Sequence, residues 1–256
     1  MRPTLSAAFI TLFVSLSGCA KDYSLAPPPD SEQITVTVKV PKELEAGTMK
    51  AMYHSSICKQ PALDVYGGHF ELDRNQLIDI QPIRLGQTDI YEANVPMNGG
   101  GACQWRLGNV LFGVVYSEPS ILGENVTYGE GGDILLIVDS DKANHDDSYI
   151  TVEGDLTIKS DYYPWLSESF PKGHGKQINL AEGDSIYWVR RGAQVRQVHF
   201  EPVLHSDFLV KSEVMEDSKF SGRIKVTYPD GTVDPRGRDR PDFQKLQALR
   251  LSAERK

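Results

Sequence analysis

Three cysteine thiols have the most sharply defined chemistry in this 256-residue chain: Cys19, Cys58 and Cys103. A thiolate can bind a metal ion, act as a nucleophile, accept a lipid or pair with a second thiol. The sequence contains no Cys-x-x-Cys pair and no histidines at a metal-ligand spacing beside these cysteines. Lipid attachment and disulfide formation are therefore the two reactions that the cysteines favour.

The first eighteen residues have the pattern of a secretion signal. Arg2 precedes the apolar run 5–16 (LSAAFITLFVSL), which is shorter than the roughly 20 residues of a membrane-spanning helix. The run ends in Leu16-Ser17-Gly18-Cys19, which resembles the bacterial lipobox, and no Ala-x-Ala cleavage site is present. The resemblance implies cleavage before Cys19 and attachment of diacylglycerol to its thiol.

The lipobox also implies a location for the mature chain. Ala20, rather than Asp, follows the cysteine, which by analogy favours transfer to the outer membrane, facing the periplasm. Two or three acyl chains would hold the protein there, since each buried CH₂ contributes roughly 0.8 kcal/mol. Residues 19–32, with Pro27-Pro28-Pro29, are predicted to form a lipidated N-terminus and a stiff tether that lifts the domain off the bilayer.

A lipidated Cys19 leaves Cys58 and Cys103 as a pair in an oxidising compartment, which predicts a disulfide. The bridge would close a span of 45 residues (103 minus 58). The chain-entropy model gives such a bridge roughly 4 kcal/mol of stability. Two free thiols or a metal pair are the alternatives.

One serine stands in a block that hydrolases use. Gly183-Asp184-Ser185-Ile186 resembles the opening block of the GDSL esterases, in which the serine is the nucleophile. That block belongs near the start of an α/β domain and before a helix, whereas here it is late and runs into a predicted strand. No downstream Asp-x-x-His and no Gly-x-Ser-x-Gly elbow accompany it. We expect a turn here, no catalytic residue and no enzyme.

Four carboxylates cluster in the segment DSDKANHDDS, at Asp139, Asp141, Asp146 and Asp147. An EF-hand loop needs Gly at its sixth position and Glu at its twelfth, and counting from Asp139 these places hold Asn144 and Ile150. A solvated acidic loop is favoured, with a loose Ca²⁺ site as the alternative. We predict no metal site and no cofactor.

The net charge of −8 limits the class of partner. An acidic protein is repelled by phosphate backbones and by anionic lipid, so nucleic acid is not an expected ligand. The same acidity favours a basic protein partner or simple solubility.

The mature chain alternates apolar and polar residues in many short runs, as β-strands do. Turn residues separate these runs, which predicts a mainly β, antiparallel sandwich-like fold. Helical spacing occurs only in Asp242–Glu254, after Pro241. The predicted strands are Gln33–Val40, Ile78–Leu85, Ile90–Val95, Cys103–Tyr116, Ile134–Val138, Tyr149–Lys159, Ser185–Arg190, Val195–Phe200, Phe208–Val214 and Arg223–Tyr228.

Residues 160–175, rich in Pro, Gly and Ser, mark the best boundary between two halves. We therefore predict a β-sandwich-like domain at 33–159 with the disulfide, and a β-rich subdomain at 160–256 that ends in a short helix. One larger sandwich is the alternative.

Several segments are similar to lipoproteins encoded beside type VI secretion effectors. The similarity lies in MKAMYHSSICK (49–59) and DIYEANVPMNGGGACQW (89–105), which continues to Tyr116. Phe200-Glu201-Pro202, the Tyr228–Gly231 turn and Lys245-Leu246-Gln247 fit the same pattern. The resemblance implies an immunity protein that binds and neutralises a secreted effector toxin, often a phospholipase. An envelope-assembly or ligand-binding lipoprotein and a hydrolase of unfamiliar geometry are the rivals.

An immunity protein needs a surface complementary to its toxin rather than an active site, and loops most often carry such contacts. The expected partner-binding residues lie in three segments: Asn98, Gly99 and Gly100; Asp139, Asp141, Asp146 and Asp147; and Tyr162, Tyr163 and Trp165.

Overall fold

The computed structural model describes residues 21–138, 149–169, 175–190, 192–214, 224–237 and 240–255. Within these ranges the chain forms eighteen strands, a short 3-10 helix at Pro119–Leu122 and one α-helix. In chain order the elements are β1 (Gln33–Lys39), β2 (Leu44–Ala46), β3 (Met49–Leu63), β4 (His69–Ile80), β5 (Ile83–Arg84), β6 (Ile90–Pro96), β7 (Asn98–Gly100), β8 (Trp105–Tyr116), β9 (Val126–Tyr128), β10 (Asp133–Ile137), β11 (Ile150–Val152), β12 (Leu156–Ser169), β13 (Gly175–Ala181), β14 (Ile186–Val189), β15 (Gln197–Leu204), β16 (Val210–Val214), β17 (Ile224–Thr227), β18 (Val233–Gly237) and α1 (Phe243–Ala253).

The strands form two sheets, which confirms the mainly β, sandwich-like prediction. The ten-stranded sheet has the order β18-β17-β16-β12-β15-β1-β6-β5, with β13 on β12 and β9 on β13. The eight-stranded sheet has the order β11-β14-β10-β8-β3-β4, with β2 and β7 on β8. Both sheets are mixed rather than antiparallel throughout, because β1 pairs with β15 and β10 with β14 in parallel.

The core lies between the inner faces of the two sheets. Alternation in β1 turns Ile34, Val36 and Val38 inward, and each is fully buried. The ring of Phe112 on β8 meets that of Phe200 on β15 edge to face, with centroids 5.9 Å apart. Such aromatic pairs stabilise a core beyond their buried area, and this pair joins one sheet to the other.

The two halves predicted from the sequence share these sheets. The predicted boundary after residue 159 falls inside β12, and β1 from the first half pairs with β15 from the second. A second hydrophobic cluster is nevertheless built wholly from the second half: Tyr163, Trp165, Ala181, Val210, Val226, Tyr228 and Leu246. The main hydrophobic cluster takes residues from both halves, so only this second cluster is confined to one of them.

Helix α1 closes this second cluster. Asp242 caps its N-terminus by accepting a hydrogen bond from the Lys245 backbone N–H at 3.1 Å, as the Pro-Asp start predicts. Leu246, on the inner side of the helix, is fully buried. Asp161 on β12 receives hydrogen bonds from Gln247 at 2.8 Å and Arg250 at 3.3 Å. Burial alone would raise the pKa of Asp161, but the hydrogen bonds from Gln247 and His205 and the charge of Arg250 hold it below its ordinary value.

The disulfide between Cys58 and Cys103 is present, with the two Cα atoms 5.3 Å apart, which confirms that prediction. Both cysteines are fully buried. The Ser55 hydroxyl beside them donates to the Cys103 carbonyl and accepts the Cys58 backbone N–H at 2.9 Å. The bridge therefore joins β3 to the turn before β8 at a site where the polar groups are also paired.

Replacing both Cys58→Ala and Cys103→Ala is expected to lower the free energy of unfolding by about 4 kcal/mol, because the denatured chain regains the entropy of an open 45-residue span. Urea unfolding followed by circular dichroism measures the loss. A reducing agent should destabilise the parent protein by a similar amount and leave the double variant unchanged. Equal stability of the parent and the variant would contradict the expectation.

Candidate functional site

The β3–β4 hairpin extends beyond the sheet to which it belongs. Strand β8 pairs with β3 only from Lys50 to His54. The hairpin continues past that point from Lys59 paired with Asp73 to Leu63 paired with His69. Residues 59–73 therefore form a two-stranded ribbon with no third strand beside it among the described residues, and we call this ribbon the arm.

The tip of the arm is well ordered by its own hydrogen bonds. The Asp64 carboxylate accepts the backbone N–H groups of Tyr66 and Gly68, both at 2.8 Å. Gly67 has a φ of +83°, a conformation that glycine adopts without strain. This turn holds Val65 and Tyr66 at relative exposures of 91% and 94%. Two adjacent apolar side chains are thus presented to the surroundings on a preformed loop.

The base of the arm is fixed by a bulge in β3. Pairing with β4 jumps from Ser55 opposite Arg74 to Lys59 opposite Asp73, so three residues of β3 lie between two steps of β4. Cys58 lies in this bulge and connects it to Cys103. The arm is consequently joined covalently to the turn before β8.

The N-terminal segment packs against the same base. The Tyr23 carbonyl accepts a hydrogen bond from the Trp105 indole at 3.1 Å, and the Arg74 guanidinium lies 4.0 Å from the centre of the Tyr23 ring. The Ala26 backbone N–H donates to Gly99 at 2.9 Å. Ser31 donates its hydroxyl to the Asn98 carbonyl. Residues 21–32 thus lie along the body, whereas the sequence pattern predicts a stiff tether that lifts the domain off the bilayer.

A cleft of about 910 Å³ lies on the outer face of the eight-stranded sheet, next to the arm. Neighbouring strands place one row of side chains across this face: Leu77, Met52, Asn109, Ile137 and Trp188. The last four of these line the cleft and are half-buried. When a sheet is covered on one side, its open face usually carries polar residues. This row is apolar at every position except Asn109, and we call it the apolar row; it marks an unusual outer surface.

Polar side chains line one side of the cleft. His54 lies opposite Asn75 on β4 and Arg106 on β8, and all three line the cleft. Arg106 is exposed, and the other charged lining residue, Asp73, pairs with Lys59 at 2.6 Å. The cleft therefore combines an apolar floor with amides, one imidazole, one guanidinium and one carboxylate that is paired with Lys59.

The first segment expected to contact a partner, Asn98–Gly100, is mostly covered by other residues. Gly99 is buried against Tyr53 and Trp105, and Gly100 lies against the N-terminal segment, where an added Cβ would be 2.1 Å from the Ala26 carbonyl oxygen. Asn98 alone of that group is exposed. Close packing therefore requires both glycines, Gly99 against core side chains and Gly100 against the N-terminal segment, which corrects their assignment to a free contact loop.

The prediction that Tyr162, Tyr163 and Trp165 contact a partner is also corrected. Tyr162 and Tyr163 are fully buried and Trp165 is 8% exposed, all within the continuous strand β12. The segment is part of the core rather than a surface loop, because β12 pairs with β13, β15 and β16 along its length. Cys19 and the acidic segment with Asp139, Asp141, Asp146 and Asp147 lie outside the described residues.

Ser185, the candidate nucleophile, is close to a half-buried carboxylate. Glu182 accepts the Gly132 backbone N–H at 2.8 Å. Burial raises the pKa of Glu182 to about 7, and the nearby Asp133 charge adds to this while the Gly132 and Ser185 hydrogen bonds oppose it. The described hydrogen bonds of His199 and His205 go to other partners, Thr37, Glu201 and Asp161. The described bonds of these two histidines therefore do not include Ser185, as triad chemistry would require.

The described ranges show no group of three or more His, Cys, Asp or Glu side chains arranged to hold a metal ion. No helix in those ranges is long and apolar enough to span a membrane. Comparison of the chain with protein-family models, with curated proteins and with solved structures found no match.

The raised pKa of Glu182 predicts a pH dependence of stability. The folded state holds a proton that the unfolded state releases near pH 4.5, so this residue lowers the free energy of unfolding as pH rises to about 7. Glu182→Gln should remove a decline on the order of 2 kcal/mol between about pH 5 and pH 8. Urea unfolding at both pH values tests this, with the exposed Glu124→Gln as control. An unchanged decline in Glu182→Gln would contradict it.

Proposed function

We propose that the protein is a lipid-anchored, periplasmic binding protein of the outer membrane that neutralises a toxic secreted effector. The cleft on the outer face of the eight-stranded sheet carries the proposal. In this proposal the effector, of the lipolytic kind that the sequence resemblance implies, docks on that face and is occluded. The resemblance of Leu16-Ser17-Gly18-Cys19 to a lipobox supports the location.

The apolar row gives this face the character of a protein interface. Protein–protein interfaces have a water-excluded core, enriched in aromatic residues and methionine, inside a polar rim. Met52, Ile137 and Trp188 supply the apolar floor, and Asn75 and Arg106 supply part of the rim. Exposed apolar area that is grouped in this way marks interaction sites more often than scattered apolar residues do.

The free edge of the same sheet disfavours a second copy as the partner. Strand β4 pairs only with β3 among the described strands. Antiparallel self-pairing centred on Asp73 or on Arg74 would place two like charges opposite each other, and pairing centred on Asn75 would place Glu71 opposite Asp79. Like charges directly opposite destabilise strand pairs, so a different protein is the better partner.

The rigidity of the surface supports a tight complex. Sheet strands form the floor of the cleft, and the disulfide fixes the adjacent arm. A surface that is already ordered loses less conformational entropy on binding. The net charge of −8 would in addition accelerate encounter with a basic effector.

Ile137→Asp should abolish protection, because it places a charge on the apolar floor of the cleft, next to Trp188. Cells that express this variant together with the product of the adjacent gene, directed to the periplasm, should lose viability. The affinity between the purified variant and that product should fall at least about tenfold, or roughly 1.4 kcal/mol. Ile83→Asp, on an exposed strand residue of the other sheet (72% exposed), is the matched control and should retain protection. Protection by both variants would refute the proposed docking face.

The cleft also favours a second candidate, a lipoprotein that binds a small amphiphile. Its volume of about 910 Å³ suits an organic ligand, and Arg106 beside the apolar floor would suit an anionic head group with an apolar chain.

Titration with oleate tests this candidate. A calorimetric binding signal that weakens at least about tenfold in Arg106→Gln and persists in Lys39→Gln would favour it, since one charge-assisted contact is worth about 1.5–3 kcal/mol. The absence of oleate binding by a protein that still protects cells would reject it.

A further inference from the structure

We propose that the arm contacts the lipid bilayer, with Val65 and Tyr66 lying among the phospholipid head groups and the arm end of the molecule facing the membrane. The inference rests on the proposed lipidation of Cys19. It adds an orientation and a second membrane contact to that anchor.

The first argument is the short distance between the anchor and the arm. The Asp22 carbonyl lies 3.9 Å from the Cys103 sulfur, which is bonded to Cys58 at the base of the arm. Asp22 is three positions after Cys19, and three steps of fully extended chain span at most about 11 Å. Because residues 21–32 lie along the body, they add nothing to this reach. The acyl chains therefore hold the base of the arm close to the bilayer.

The second argument is the direction of the arm. Strand β3 passes His54, which lies opposite Arg106 near the start of β8, and then continues into the arm. The arm thus leaves the sheet at the end where the N-terminal segment packs. Five residue pairs, from Lys59–Asp73 to Leu63–His69, extend it by about 17 Å. This length exceeds the reach of the chain before Asp22, so the tip can meet the membrane surface.

The third argument is the chemistry of the tip. Tyrosine is enriched at membrane interfaces, where its ring enters the apolar region and its hydroxyl remains hydrated. Unpaired backbone groups are costly in lipid, and the N–H groups of Tyr66, Gly67 and Gly68 are already bonded to Asp64. The tip can therefore enter the head-group layer with these three backbone donors already bonded.

The charge of the arm limits the depth of insertion and the kind of lipid. Residues 59–73 contain Lys59 against Asp64, Glu71 and Asp73, a net charge of −2 (one minus three, with His69 neutral). Anionic lipid repels such a segment. We infer shallow contact with zwitterionic head groups such as phosphatidylethanolamine.

The test uses the full-length lipidated protein, reconstituted in vesicles of phosphatidylethanolamine and phosphatidylcholine with brominated acyl chains. A tryptophan is introduced by Tyr66→Trp at the tip. Its matched control is Ile121→Trp, which changes a 75% exposed residue after the far end of β8. Bromine should quench the added fluorescence of Tyr66→Trp at least about twofold, because quenching requires contact with lipid. It should leave that of Ile121→Trp unchanged, and phosphatidylglycerol should weaken the effect.

Three outcomes would overturn the inference, and they can be told apart. Unquenched Tyr66→Trp fluorescence in protein whose lipid is verified by mass spectrometry rejects the bilayer contact and leaves the anchor intact. An unmodified N-terminus rejects the anchor and the inference together. Shielding of Tyr66→Trp by the effector, without quenching by bromolipid, assigns the tip to the protein partner instead.

Discussion

The covalent link between Cys58 and Cys103 is the constraint on which the arrangement of the functional surfaces depends. It fixes the β3 bulge to the turn before β8, and the segment from Asp22 to Ala26 packs on that turn. The arm, the outer face of the eight-stranded sheet and the start of the described chain consequently meet at one end of the molecule. A ribbon of two strands is marginally stable by itself, so the bridge at its base is also what allows the arm to project from the sheet.

Much of the fold follows from alternation in the sequence. β1, β6, β8, β10 and α1 occur within one or two residues of their predicted bounds, because each buries a continuous apolar face or begins at a clear cap. The parallel pairing of β1 with β15 was not predictable from local pattern, since it joins residues about 160 positions apart. Alternation specifies a buried face, but not the neighbouring strand.

The arm and the cleft were missed for identifiable reasons. The bulge after Ser55 shifts the alternation within β3, and Pro61 is a residue that sequence patterns treat as a strand breaker. The turn itself had a usable signal, because Asp64 followed by Gly67-Gly68 is typical of a tight hairpin turn. At Tyr162–Trp165 the sequence predicts a break that is absent. Pro164 indicates an interruption, but β12 continues through it. The cleft requires five strands to be brought side by side, which no local pattern specifies.

The charges along β4 have a consequence for molecules that share a membrane. Anchoring confines proteins to a plane, where they meet at a high effective concentration, and an uncovered sheet edge invites lateral assembly. In each central register of a homotypic pairing, two like charges lie opposite each other: two Asp73 carboxylates, two Arg74 guanidinium groups, or Glu71 and Asp79. On the proposed anchor, a crowded leaflet would therefore hold dispersed single molecules rather than growing ribbons, and each docking face would remain open to solvent.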